Sequence, residues 1–344
     1  ASQTLKEYGD NKVSICVLGA GAWGTALAIH LAKNTPVTLW ARDTSHLSGM
    51  KKSRSNPKYL GDFSFPDLLT LQSDFNEAVS NCDFVLSTIP TSGFRNALIK
   101  LKNINKNIPF IWANKGLERT SAKLPFEIVI DEFGPGQEVG RNWGVLAGPS
   151  FAAELVRGLP TAVTLATNNE ELTKKIAPQF HHNNMRAYIS NDIAGVSVRG
   201  AMKNVIAIAA GISDGMGFGN NARAALITRG LNEIKNFGVK IGSSAETFSG
   251  LSGMGDLVLT CTGDYSRNHE VGKRLAKGEL LKEILAGLGH VAEGVYTAKE
   301  VVERANLLKL EMPITNEVNN VIAHNKSPKD AILDLIKRPI KEEL

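Results

Sequence analysis

The loop Gly19-Ala20-Gly21-Ala22-Trp23-Gly24 restricts the fold of this chain more than any other segment. A GxGxxG spacing by itself is a weak signal. Here a β-branched run at 13–18 precedes it, a helical pattern at 24–33 follows, and a second strand-like run at 37–40 comes within one βαβ length. In that setting the first glycine permits a tight turn, the second lets the backbone approach a pyrophosphate, and the third lets helix and strand pack closely. The N–H groups and positive dipole end of the helix start then face the phosphates. Residues 13–32 carry no formal charge for twenty residues, the length of a membrane span. The glycines inside that stretch suit a strand–turn–helix and not a span. The first twelve residues are polar and hold Lys6, Glu7, Asp10 and Lys12, unlike a signal peptide.

Beyond the loop the chain reads as two halves, as its 344 residues lead one to expect. Strand-like runs recur at 37–40, 84–89, 110–113, 145–147, 162–166 and 186–189, with helical patterns at 92–102, 124–133 and 170–178 between them. Strands alternating with helices imply βαβ units and a largely parallel, doubly wound sheet of Rossmann type. After residue 192 the period becomes helical, at 196–212, 222–237, 266–277, 291–305, 314–324 and 327–336. The expected organisation is therefore α/β plus all-α: a dinucleotide-binding domain over 1–192 and an all-helical substrate domain over 193–344.

Composition narrows the function classes. The net charge is +5, with Lys and Arg scattered and not clustered with aromatics, which argues against a nucleic-acid face and for capture of an anionic ligand. Cys16, Cys82 and Cys261 lie far apart without a CxxC, as in a reduced, cytoplasmic chain. No metal-ligand spacing occurs around the histidines, the pair His181-His182 included, and no Walker loop or nucleophile elbow is present.

Several polar residues stand where chemistry is done. The second strand ends in Trp40-Ala41-Arg42-Asp43. An acidic side chain at this position binds ribose hydroxyls and an arginine suits a 2′-phosphate. Arg42 comes first, which favours NADP. Asp43 as a ribose ligand is the competing reading, and Arg42 as an ordinary surface residue is the plain one. Lys203 shares a helix face with Val196, Gly200, Ile206, Ala207 and Ala210. Most lysines on such a face snorkel to water; a desolvated one has a lowered pKa suited to proton transfer, and Arg199 one turn back would lower it further. Lys115 and the segment Gly148-Pro149-Ser150 each follow a strand, at the end where open α/β sheets bind ligands. Ser150 is also a candidate cap for a helix at 151–157. Asp256, after Gly255, suits a helix cap, and Ser266-Arg267-Asn268 at a helix start suits a phosphate, with surface salt bridging as the alternative.

In order along the chain, GAGAWGTALA (19–28), LWARD (39–43), IPTSGF (89–94), WANKGLE (112–118), GPSFAAEL (148–155), KNVIAIAAGISDG (203–215), GNNARAALITRGL (219–231), GDLVLTC (255–261), SRN (266–268) and EMPI (311–314) resemble the NAD(P)-dependent sn-glycerol-3-phosphate dehydrogenases of the soluble bacterial type. Each piece is modest and the ordered set is specific. Ala147, where many relatives carry Ser, and Ser252, where Ala is usual, are small departures that remove no assigned group.

The resemblance implies roles for individual residues. Lys203 would give and take the proton, Lys115 would contact both substrate and nicotinamide, and Asp256 would orient Lys203. Gly148, Ser150, Lys203, Asp256, Ser266, Arg267 and Asn268 would hold glycerol phosphate, with Asn204 and Thr260 beside them. Gly19, Gly21, Ala22, Trp23, Gly24, Arg42, Phe94, Lys115, Ala152, Arg267, Val291 and Glu293 would contact NAD or NADP. The implied reaction is reversible hydride transfer between NAD(P)H and dihydroxyacetone phosphate, giving sn-glycerol 3-phosphate for phospholipid synthesis. Family habit and base rates imply a homodimer with no nucleic-acid partner and no integral membrane segment. Two alternatives stand beside this: a neighbouring dehydrogenase of a phosphorylated hydroxy acid, and a dinucleotide-binding regulator without turnover. The presence of both Lys115 and Lys203 argues against the regulator.

Overall fold

The computed structural model describes residues 13–134, 142–288 and 292–339. Eight strands form one sheet in the order β3-β2-β1-β4-β5-β6-β7-β8. They are β1 (Ile15–Leu18), β2 (Val37–Trp40), β3 (Leu69–Gln72), β4 (Phe84–Ser87), β5 (Phe110–Trp112), β6 (Trp143–Ala147), β7 (Thr161–Thr167) and β8 (Met185–Ser190). Helices α1 (Ala22–Leu31), α2 (Thr44–Ser53), α3 (Phe75–Ser80), α4 (Thr91–Ile104), α5 (Pro125–Phe133), α6 (Ala152–Val156) and α7 (Glu170–Phe180) connect them. The doubly wound class expected from the sequence is present, and β1 sits between β2 and β4, so the glycine loop leaves the sheet at its topological switch point.

Two local features differ from expectation. Strand β3 has no counterpart among the runs read from sequence. It is a four-residue edge strand with only Leu69 buried, so it lacks the apolar signature of the inner strands. The pair β6–β7 is antiparallel. The chain between them holds only the short α6 and the positive-φ turn at Gly158, so it returns on the same side of the sheet instead of crossing over.

From Ile193 onward the described residues form helices and no strand: α8 (Ile193–Gly215), α9 (Gly219–Lys240), α10 (Asp256–Thr262), α11 (Arg267–Ala276), α12 (Leu281–Leu288), α13 (Glu293–Leu307), α14 (Pro313–Ala323) and α15 (Pro328–Ile336), with a 3₁₀ turn at Glu246–Ser249 and a π-helical turn at Leu251–Gly255. Helix α8 organises this half. Residues Gly195 to Ser213 are buried on every side, the pattern of a core helix. By length and composition it would cross a membrane, yet 89% of its apolar stretch is buried inside the protein. Its start packs into the sheet through Val196, and its later turns enter the helical core through Val205, Ile208 and Ile212. At Gly211 a Cβ would lie 2.0 Å from the His269 carbonyl, and at Gly272 one would lie 2.1 Å from the Ile208 carbonyl. The backbones of α8 and α11 therefore touch, and nothing larger than glycine fits at the crossing.

One buried pair makes the fold sensitive to acid. His30 of α1 is 1% exposed, stacks on His182 with ring centroids 4.0 Å apart, and its Nε2–H donates to the Phe180 carbonyl at 3.1 Å. Burial, together with the neighbouring His182, lowers His30 to about 4. The unfolded chain takes up this proton near pH 6.5 and the native state does not, so stability is lost as pH falls from 6.5 through 4. We expect denaturant titrations to lose about 3 kcal/mol of unfolding free energy across that window. His30→Gln, which keeps the donor without the titration, should flatten much of the loss; an unchanged acid limb would count against this assignment.

Candidate active site

The glycine loop forms as its spacing implies. Gly19 adopts φ +110°, which an L side chain rarely takes, and a Cβ on Gly24 would fall 2.0 Å from the Gly19 carbonyl. Gly21, the N-cap of α1, differs from both: a Cβ there would meet no protein atom within 4 Å. Glycine at 21 thus leaves open space in front of the helix start. No side chain caps α1 and no acidic residue lies in its first turn, so the N–H groups that follow Gly21 remain for an anion. Ala22 and Trp23 are half-buried at this mouth, and Ala152 opens α6, which packs against α1. These features fit a dinucleotide pyrophosphate.

At the end of β2, Arg42 and Asp43 differ in what each already does. Asp43 caps α2, its Oδ1 accepting the His46 N–H at 3.1 Å, and this bond holds its carboxyl below the usual range. Arg42 is exposed and pairs with no carboxylate among the described residues. Phe94 is buried. It is 0% exposed, its ring packed 6.2 Å from that of Trp112, so its side chain is core beneath segment 89–94. Val291 lies outside the described residues.

Lys115, Lys203 and Asp256 converge although they come from the loop after β5, from α8 and from α10. Asp256 is 1% exposed, and its Oδ1 accepts a hydrogen bond from Lys203 Nζ. Its Oδ2 accepts none and lies 4.0 Å from Lys115 Nζ. Asp256 starts α10 directly after the π-helical turn, and its side chain goes to Lys203 instead of capping the helix. Lys203 is 6% exposed and does not snorkel. Burial lowers its pKa to about 8; the Asp256 carboxylate opposes that and the Lys115 ammonium adds to it. Arg199 is not that second cation. Its guanidinium donates to the Gly195 and Thr247 carbonyls and lies over Phe248. Lys115 is itself fixed from behind: Thr91 Oγ1 donates to the Lys115 carbonyl at 2.7 Å and accepts from Asn114 Nδ2 at 3.2 Å. Thr91 carries no sequence signal beyond its place as the first residue of α4, shortly after β4.

Around this trio stands a polar rim. Ser266 caps α11, accepting the His269 N–H at 3.3 Å. Arg267 is exposed and has no ion-pair partner among the described residues. Asn268 is buried; its Oδ1 accepts the Gly294 N–H at 2.9 Å, which ties α11 to the start of α13. Glu293 accepts from Asn204 Nδ2 at 3.2 Å, and burial raises its pKa against the pull of Lys115, Arg267 and Lys203. Thr260 Oγ1 donates back to the Asp256 carbonyl at 2.6 Å. Ser150 does not cap α6, whose N-cap is Phe151; its hydroxyl donates to the Gly148 carbonyl at 3.0 Å and so shapes the loop after β6. A clasp that sequence reading missed joins this loop to the Ser266 turn: Arg157 Nη1 donates to Tyr265 Oη at 2.9 Å, and the Phe151 and Tyr265 rings meet edge-on at 5.5 Å.

The family model described as NAD-dependent glycerol-3-phosphate dehydrogenase N-terminus matches residues 14–173, and the corresponding C-terminus model matches 192–333. Glycerol-3-phosphate dehydrogenase (NAD(P)+) from Methylobacillus flagellatus is 56% identical over 331 residues, 96% of this chain and 99% of that protein. The protein of the same name from Nitrosospira multiformis is 48% identical over 334 residues, 96% of this chain and 99% of its own length. The crystal structure of glycerol-3-phosphate dehydrogenase from Coxiella burnetii superposes with a TM-score of 0.90 at 38% identity, covering 95% of this chain and 99% of that one.

The glycines of the loop separate folding from binding. Gly24→Ala forces a Cβ against the Gly19 carbonyl and should lower stability by about 1–3 kcal/mol. Gly21→Ala meets no protein atom and should melt close to the wild type, yet lose most of the thermal stabilisation that added dinucleotide provides. Equal melting of the two variants would contradict this division.

Proposed function

The chain belongs to the NAD-dependent glycerol-3-phosphate dehydrogenase family, and from that premise we propose how its own residues carry the reaction. It is an NAD(P)-dependent oxidoreductase acting on a CH–OH group, interconverting dihydroxyacetone phosphate and sn-glycerol 3-phosphate, a step that serves lipid biosynthesis. The bound nicotinamide supplies or accepts the hydride at C2 of the substrate. In our reading the sheet half, 1–192, holds the dinucleotide and the helical half, 193–344, holds the substrate.

The observation that carries the reading is the buried Lys203–Asp256 pair with Lys115 on its open side. When hydride reaches C2, negative charge grows on the carbonyl oxygen, and Lys203 Nζ delivers a proton to it. Asp256 holds that ammonium in place and keeps it charged, while Lys115 stabilises the growing oxyanion at little reorganisation cost. Arg267, with no partner to give up, and the Asn268 amide N–H2 clamp the phosphate and so orient the carbonyl. Ser150 and Gly148 line the facing loop. In the oxidative direction the neutral Lys203 amine takes the hydroxyl proton.

Arg42, left free while Asp43 caps a helix, supports acceptance of NADPH. The three unpaired thiols suit the reducing cytoplasm. A homodimer is the working assembly we propose, on the prevalence of two-fold assemblies, and sedimentation of the purified protein checks it.

Lys203→Ala should reduce turnover by about 10²–10⁴ while cofactor binding survives; near-normal turnover would sink the proton-transfer role. Reduction of dihydroxyacetone phosphate needs charged Lys203 and should fall as pH rises through about 8, whereas oxidation of glycerol 3-phosphate should rise across the same range. Asp256→Asn removes the charge that supports the ammonium, so this limb should move to lower pH; a limb that stays put would exclude Lys203 as the titrating group. Arg42→Ala should cut the ratio of kcat/KM for NADPH over NADH by about tenfold, the loss of one phosphate contact. An unchanged ratio would leave Arg42 a surface residue.

A further inference from the structure

The carbonyl oxygens of the glycine loop are tied back one after another, by side chains from outside it. Thr88 Oγ1, just beyond β4, lies 3.0 Å from the Leu18 carbonyl and 2.9 Å from that of Gly19, and shares its one hydrogen between them. The next carbonyl, that of Ala20, accepts from Asn56 Nδ2 at 3.0 Å. The same amide nitrogen donates its second hydrogen to Thr25 Oγ1 at 2.8 Å. Asn56 is 1% exposed, and its Oδ1 accepts from His46 Nε2 at 2.9 Å. His46 in turn gives its backbone N–H to Asp43, next to Arg42. The backbone of Asn56 is anchored as well: its carbonyl accepts the N–H groups of Tyr59 and Leu60 at 3.2 and 2.9 Å.

Peptide planarity turns this into a statement about the cofactor. In a trans peptide the N–H points opposite to the C=O. While Asn56 holds the Ala20 carbonyl inward, the Gly21 N–H points outward, into the open space before α1. Released, the Ala20–Gly21 peptide can rotate, because glycine at 21 accepts either orientation. A rotated peptide would aim a carbonyl oxygen at a phosphate. We propose that Asn56 is a positioning residue for the dinucleotide: it sets the Ala20–Gly21 peptide for pyrophosphate, and through His46 it links that peptide to the strand end carrying Arg42. The proposal rests on the reading of this loop as the cofactor site. Asparagine suits the task because one end must donate twice and the other accept once. An aspartate would face two oxygens with no hydrogen to offer.

The test uses the full chain with Asn56→Ala and Asn56→Asp. Dissociation constants for NADH and NADPH are read by nucleotide fluorescence, together with kcat and the KM for dihydroxyacetone phosphate at saturating cofactor. Both dissociation constants should rise about tenfold or more, further for the aspartate, and by similar factors for the two nucleotides. That equality distinguishes Asn56 from Arg42, whose loss should separate them. kcat and the substrate KM should stay within about twofold of wild type, a split that general loosening of the fold would not produce. Unchanged cofactor binding in folded variants overturns the proposal, and so does a substrate KM that rises as much as the cofactor constants. Should the Asn56 variants fail to fold, His46→Ala removes the support behind the amide, together with an edge-on contact with Tyr59; it should weaken both nucleotides about threefold, and no change there overturns the proposal equally. Failure of the wild-type protein to bind either nucleotide would instead sink the underlying cofactor reading, and this inference with it.

Discussion

The backbone contact between α8 and α11 at Gly211 and Gly272 is the constraint on which the site depends. It brings the start of α11, with Ser266, Arg267 and Asn268, against a helix whose earlier turns hold Lys203 and Asn204 and whose first turn is rooted in the sheet. A single rigid element thus carries position from the sheet to the substrate groups. Any side chain at the crossing would separate the helices by an ångström or more, a displacement of the size that hydride and proton transfer do not tolerate.

The buried Lys203–Asp256 pair must be understood against its cost. Taking two charges out of water is expensive, and one good hydrogen bond offsets it only in part. Here the cost serves the chemistry. Desolvation brings Lys203 to about 8, close enough to neutrality for it to give a proton in one direction and take it in the other. Lys115, held by Thr91, places a second cation where charge develops. The unsatisfied Asp256 Oδ2 belongs to the same arrangement, since it faces the side from which Lys115 approaches.

Much of the fold was legible because it is written in local patterns. The inner strands announce themselves by apolar runs, the helical half by its period, and the glycine loop by spacing that only a strand–turn–helix explains. What escaped has equally physical reasons. Strand β3 is a short, half-exposed edge and carries no burial signal. Thr88, Thr91 and Asn56 act through side-chain hydrogen bonds to backbone carbonyls tens of residues away, and one threonine or asparagine among many carries no periodic mark. The burial of Phe94 beneath its motif is likewise a tertiary outcome that the motif itself does not show.

By itself the sequence determined the kind of protein this is. An ordered set of motifs, a glycine loop in the right context and two differently patterned halves suffice for a dinucleotide sheet followed by a helical domain, because each depends on residues close together in the chain. Only the tertiary structure decided which polar groups remain free. Lys203 and Asp256 are 53 residues apart in sequence and meet where both are buried from solvent. Asp43 is spent on a helix cap and Arg42 is not. The glycine loop returns to the same point: its spacing identifies a phosphate site, but the direction in which its N–H groups point is set by Thr88 and Asn56. Those outcomes depend on burial and on hydrogen-bond competition between distant segments, and neither is encoded in the spacing of neighbours.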